Sequence, residues 1–179
     1  LLDWCMLQLL LARETSLVVD EVVNGVVPRG GHAYITPPNK NLVFDAGRLH
    51  LVDAAPQVSP KPSINAFFES LAEARGEDAV GVVLSGTGSD GARGVRAIKA
   101  GGGMTFAQDP EDAKYAGMPQ AAVDTGSVDF VLTPDRIGEE LTLLSKAPPV
   151  LGQGPRAEPP PATLKTLLAR VRQHTKLDF

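Results

Sequence analysis

The residues best suited by type and spacing to do chemistry form one short turn, Gly86-Thr87-Gly88-Ser89-Asp90-Gly91. It follows an apolar run, Ala79–Leu84, that reads as an interior strand buried on both faces. It opens a helical stretch through Val95 and Ile98. The spacing matches G-x-G-x-x-G, which gathers backbone N–H groups around a pyrophosphate. Asp109, eighteen residues past Gly91, stands where a ribose-binding acid of a dinucleotide-binding domain would. Asp90 opposes that use, because a desolvated carboxylate would repel the anion by on the order of several kcal/mol. A plainer reading is that Ser89 or Asp90 caps the following helix, and spacing alone favours it. A carboxylate at the end of a parallel strand can also orient a histidine base, as in a Ser-His-Asp hydrolase. On that reading Asp90 faces a cleft at the carboxyl end of the sheet.

Other reactive side chains are weaker candidates. Cys5 sits in an apolar run beside Trp4, Met6 and Leu7, where core packing explains it. As the one cysteine it excludes an internal disulfide framework and fits a reducing compartment. His32, in a Gly-His-Ala-Tyr-Ile hairpin, reads as structural or substrate-lining rather than as a base. His50 alternates with apolar neighbours on an edge strand and is expected to be exposed. Ser85 and Ser89 have no base near them in sequence and read as turn residues. Met118-Pro119 borders the active turn or packs beneath it. No cofactor and no metal site is expected.

The elements that must hold these residues are legible in outline. Leu1–Thr15 reads as a helix. Val18–Val23, His32–Thr36, Asn41–Phe44 and Leu49–Val52 are short strands separated by glycine and proline, a small β-hairpin excursion. Ser63–Arg75 places Ile64, Phe67, Phe68, Leu71 and Ala72 on one helical face. Ala79–Leu84, Met104–Ala107 and Asp129–Leu132 read as strands, with helices at about Pro110–Asp124 and at Pro134–Leu144. Strand and helix alternating at this spacing predict an α/β fold, a doubly wound, mostly parallel sheet with crossover helices.

Composition narrows the partners. The 179 residues carry a net charge of -4, with 43% hydrophobic, 21% charged and 5% aromatic residues. No basic patch suggests nucleic acid or anionic lipid, and the run Leu7–Ala12 is far too short to span a membrane. Six of the fifteen residues from Pro148 to Ala162 are proline, which predicts a linker open to protease. Beyond it Leu164, Leu167, Leu168, Val171 and His174 share one face of an isolated helix. The expected organisation is a domain over 1–147, a linker over 148–162, and the start of another domain over 163–179.

Ala79 to Ala92, with the acid turn inside it, resembles the corresponding stretch of the chemotaxis protein-glutamate methylesterases. So do Ala107-Gln108-Asp109, Gly117-Met118-Pro119-Gln120-Ala121-Ala122, Gly31 to Asn39, and Leu10-Leu11-Ala12-Arg13, in the same order. The resemblance covers about Leu1 to Leu144. It implies a cytoplasmic enzyme that hydrolyses glutamyl methyl esters on chemoreceptor helices, releasing methanol; some members also deamidate receptor glutamines. It implies Asp90 as the triad acid, and the backbone N–H of Thr87 as part of an oxyanion hole. In the family the serine and the histidine precede the region that begins here near Leu1. No G-x-S-x-G occurs in this sequence, so the chain alone is expected to be inactive. A phospho-acceptor receiver domain normally precedes the esterase. Leu167 to Phe179 resembles the opening helix of the chemoreceptor methyltransferases, which implies a methylesterase–methyltransferase fusion. The competing expectation is a degenerate esterase fold that docks receptors without catalysis.

Overall fold

The computed structural model describes residues 4–53 and 62–146. One compact unit runs from Leu1 to Leu144; a second, Ser145–Phe179, lies almost wholly outside the described residues, as do the expected linker and terminal helix. The chain opens with α1 (Trp4–Glu14), β1 (Val18–Glu21), β2 (His32–Ile35), β3 (Lys40–Asp45) and β4 (Arg48–Asp53). Then follow α2 (Ile64–Arg75), β5 (Val80–Val83), α3 (Ala92–Ala100), β6 (Met104–Gln108), α4 (Gly117–Val123), β7 (Phe130–Leu132) and α5 (Pro134–Lys146). Cys5 falls on α1, but its side chain is outside those described.

The fold is α/β. Strands β5, β6 and β7 form a parallel sheet in that order, with α3 and α4 as the crossovers. Among the described residues β6 is the central strand, not β5, and its residues Thr105–Gln108 are all buried. β5 is covered less completely, since Val80 and Leu84 are exposed while Gly81 and Val83 are buried. The short strands before α2 are not one hairpin system. β3 and β4 pair antiparallel across a tight turn, whose central Ala46 and Gly47 both have positive φ (45° and 75°). That is the geometry that matches strand twist in a two-residue hairpin. β1 and β2 pair parallel instead, Val18 opposite His32, so His32 is not on a hairpin as expected.

Helix α2 joins the two halves of this unit. Its Phe68 and Ala72 enter a core with Ala79, Val83, Val95, Ile98, Ala107 and Ala122. Its Phe67 and Leu71 also pack against a second cluster of Val22, Leu42, Phe44 and Leu49. The i, i+3, i+4 spacing read in the sequence therefore serves two cores rather than one. Glycines let α2 lie close to its neighbours: a Cβ at Gly94 would stand 2.5 Å from the Phe68 Cβ.

A polar tie fixes the lower end of the sheet. The Asp129 carboxylate accepts from the Thr105 backbone N–H (3.0 Å) and hydroxyl (2.9 Å), and pairs with Lys99. Burial acts to raise the Asp129 pKa. The hydrogen bonds from Lys99 and Thr105, with the lysine charge, outweigh it and hold the carboxyl below its ordinary value of 3.8.

Candidate active site

The turn 84–91 emerges where β5 and β6 end. Ser85 N–H donates to the Gln108 Oε1 at the end of β6 (2.9 Å), and Gln108 Nε2 donates to Asp112 (2.8 Å). This places the turn at the carboxyl edge of the parallel sheet, as the sequence predicts. A second segment is laced onto it. Gly86 N–H donates to the Tyr115 carbonyl, Met118 N–H to the Gly86 carbonyl (both 2.9 Å), and Tyr115 N–H to the Ser85 hydroxyl (3.0 Å). The absent side chains make this contact close, since a Cβ on Gly117 would lie 3.0 Å from the Gly88 nitrogen. Gly86-Thr87-Gly88 and Gly117-Met118-Pro119 thus form one surface. Thr87, Gly88, Ser89 and Tyr115 are exposed there, and Pro119 is buried beneath.

Asp90 is placed differently from expectation. It is 5% exposed, buried rather than open to solvent. It does not cap the helix that follows it. Its Oδ2 accepts from Ile64 N–H (2.7 Å), and its Oδ1 from Asn65 N–H (3.1 Å), Gly91 N–H (3.1 Å) and the Ser63 hydroxyl (3.4 Å). The carboxylate therefore closes the first turn of α2, where orphan N–H groups and the helix's partial positive charge favour an anion. Ser63 is also the N-cap of α2, accepting from Ala66 N–H.

The start of α3 is served in return. Its N-cap is Gly91, with φ 97° and no side chain to contribute. Asn65 Oδ1 instead accepts from Gly91 N–H (3.2 Å) and Gly94 N–H (2.8 Å). Each helix start is thus satisfied by a residue from the other, and Asn41 Oδ1 anchors the Ser63 N–H at 2.9 Å. The helix expected over Ser63–Arg75 thus begins one residue later, at Ile64, with Ser63 as its cap. The role of Asn65 was not legible, because nothing near it in sequence marks the N–H groups that donate to it.

The remaining candidates lie elsewhere. His32 Nδ1 is 2.8 Å from Asp20 Oδ2, and its ring stacks on Tyr34 at 5.8 Å; both line a small depression of about 260 Å3 with Arg29 and Glu21. His50 is half-buried on β4 rather than exposed. Asp109 organises its own loop, accepting from Glu111 N–H at Oδ1 (3.0 Å). Among the described residues no cluster of His, Cys, Asp and Glu could hold a metal. No helix there is long and apolar enough to cross a membrane.

A parallel sheet with crossover helices and a fixed carboxylate turn at its carboxyl edge defines the class: a domain of the α/β type. The chain belongs to the CheB methylesterase family, which matches residues 5–141. It is 42% identical over 151 residues to an uncharacterized 104.1 kDa protein of Rhodobacter capsulatus, covering 84% of this chain and 16% of that protein. It is 41% identical over 136 residues to protein-glutamate methylesterase/protein-glutamine glutaminase 2 of Anaeromyxobacter dehalogenans (strain 2CP-C), covering 76% of this chain and 40% of the relative. The crystal structure of the Thermotoga maritima CheB methylesterase catalytic domain superposes with a TM-score of 0.70 at 28% identity, over 77% of this chain and 75% of that one. The chain thus spans less than half the length of these two relatives.

Proposed function

We propose that this chain is the acid-bearing part of a cytoplasmic protein-glutamate methylesterase that acts on methylated chemoreceptor helices. In this reading Asp90 orients a histidine and supports its imidazolium. The histidine takes the proton of a serine as that serine attacks the glutamyl methyl ester, and gives the proton to the departing methanol. Water then adds to the acyl-enzyme, releasing glutamate and restoring the serine. The serine and the histidine come from residues N-terminal to Leu1. The Thr87 N–H, which has no acceptor among the described residues, faces the developing oxyanion. Glutamine deamidation by the same route accounts for the second activity in the name of the Anaeromyxobacter relative.

One observation carries this reading. Asp90 is buried and held by four hydrogen bonds, three of them to one oxygen, so Oδ2 keeps acceptor capacity beyond the Ile64 bond. A carboxylate fixed in this way can set a histidine tautomer. Membership of the CheB methylesterase family supports the substrate. The 104.1 kDa relative, of which the chain spans 16%, is compatible with a longer polypeptide; that residues 163–179 open a fused methyltransferase rests on their resemblance alone.

The test is methanol release from methylated receptor. The full-length protein is expected to release it, and the 179-residue chain alone to lack it, because losing nucleophile and base removes several orders of magnitude of rate. Receptor binding by the full-length protein without methanol release would establish a docking module instead.

A further inference from the structure

We propose that Asn65, seconded by Ser63, is a positioning residue for ester hydrolysis, acting through Asp90. The inference rests on the reading of Asp90 as triad acid. Asn65 touches the acid turn at three points: its own N–H donates to Asp90 Oδ1, and its Oδ1 accepts from Gly91 and Gly94. Those bonds hold Asp90 at its carboxylate and at the backbone that follows it. Gly91 is left-handed at φ 97° and offers no side chain, so the backbone after Asp90 is set by what grips its N–H groups. Asn65 supplies that grip. Ser63 adds a hydroxyl to the same carboxylate oxygen and is itself tied to β3 through Asn41. The carboxylate is thereby referred to α2 and, through it, to both hydrophobic cores, rather than to a solvated loop. Loss of the Asn65 side-chain amide takes this acceptor from Gly94 N–H and leaves Gly91 N–H to Asp90 Oδ1 alone, so the carboxylate shifts and misaligns the histidine it holds. Misplacement of a catalytic group by about 1 Å can cost roughly 100-fold in rate.

The experiment measures steady-state methanol release by the full-length protein on membranes carrying methylated receptor. Asn65→Ala is expected to lower kcat by about tenfold, with KM within about twofold, since the Asn65 N–H and Oδ1 are committed to Asp90, Gly91 and Gly94. Asn65→Asp, which keeps the oxygen acceptor, is expected to restore kcat to within about threefold. Asn65→Ala added to Asp90→Asn should slow turnover no further, because Asn65 acts through that carboxylate. If Asn65→Ala does not fold, Ser63→Ala decides, with a loss of about threefold in kcat at constant KM. The proposal is overturned if the folded Asn65→Ala, or failing that Ser63→Ala, keeps wild-type kcat, if the loss lies in KM, or if Asn65→Asp does not restore it. Should Asp90→Asn itself retain turnover, the triad reading fails first; loss with Asp90→Asn but not with Asn65→Ala refutes the positioning role alone.

Discussion

At the residue scale, Asp90 closes a helix start and, in the proposed reaction, holds a histidine. These roles predict a stability cost for the substitution that tests catalysis. Asp90→Asn turns one carboxylate oxygen into an NH2 group. Whichever way the amide sits, a donor then faces a donor, either Ile64 N–H or the Asn65 and Gly91 N–H groups. A buried unsatisfied donor costs about 1–3 kcal/mol. The urea midpoint of the variant should fall at unchanged m-value; equal stability would contradict the clamp. The sequence singled out Asp90 by its turn but assigned its cap to the wrong helix. Local spacing cannot show that the donors lie 25 and 26 residues upstream.

At the scale of elements, the sheet offers two tests. Gly103 enters β6 with no room for a side chain: a Cβ there would stand 2.5 Å from the Ala79 carbonyl oxygen and 2.8 Å from Ile98 Cγ2. Gly103→Ala should destabilise by about 1–3 kcal/mol, since a backbone atom cannot swing aside. Calorimetry showing an unchanged Tm would refute that packing. The Asp129 tie predicts a pH dependence. Its carboxyl lies below the ordinary 3.8 in the folded chain, so its contribution is present above that value and is lost as pH falls through the folded one. Asp129→Asn should therefore narrow the gap in stability between neutral pH and about pH 2; an unchanged gap would remove the tie. Apolar runs marked β5, β6 and β7 to within a residue or two. The helix expected over Pro110–Asp124 is shorter, Gly117–Val123, because the preceding loop is held otherwise. Asp112 and Ala113 N–H bond the Asp109 carbonyl, and Tyr115 is committed to the acid turn. Apolar periodicity carries no record of such bonds. Nor does alternation reveal that β1 and β2 run parallel.

At the scale of the molecule, α2 binds the β3–β4 hairpin to the parallel sheet and offers its first turn to the acid. Residues far apart in sequence, Asn41, Ser63, Asn65 and Asp90, thus meet in one rigid corner. The family was legible from ordered motifs, because those motifs are the turns the architecture needs. The corner itself was not, since it depends on how helices meet. The central claim is that Asp90 serves hydrolysis as well as folding. Its most direct test is methanol release from methylated receptor by the full-length protein and its Asp90→Asn variant, at a temperature where both are folded. The account predicts a fall of about 10^4-fold in turnover, from a histidine held in the wrong tautomer. Turnover within a few-fold of wild type in the folded variant would contradict it and leave Asp90 a helix cap alone.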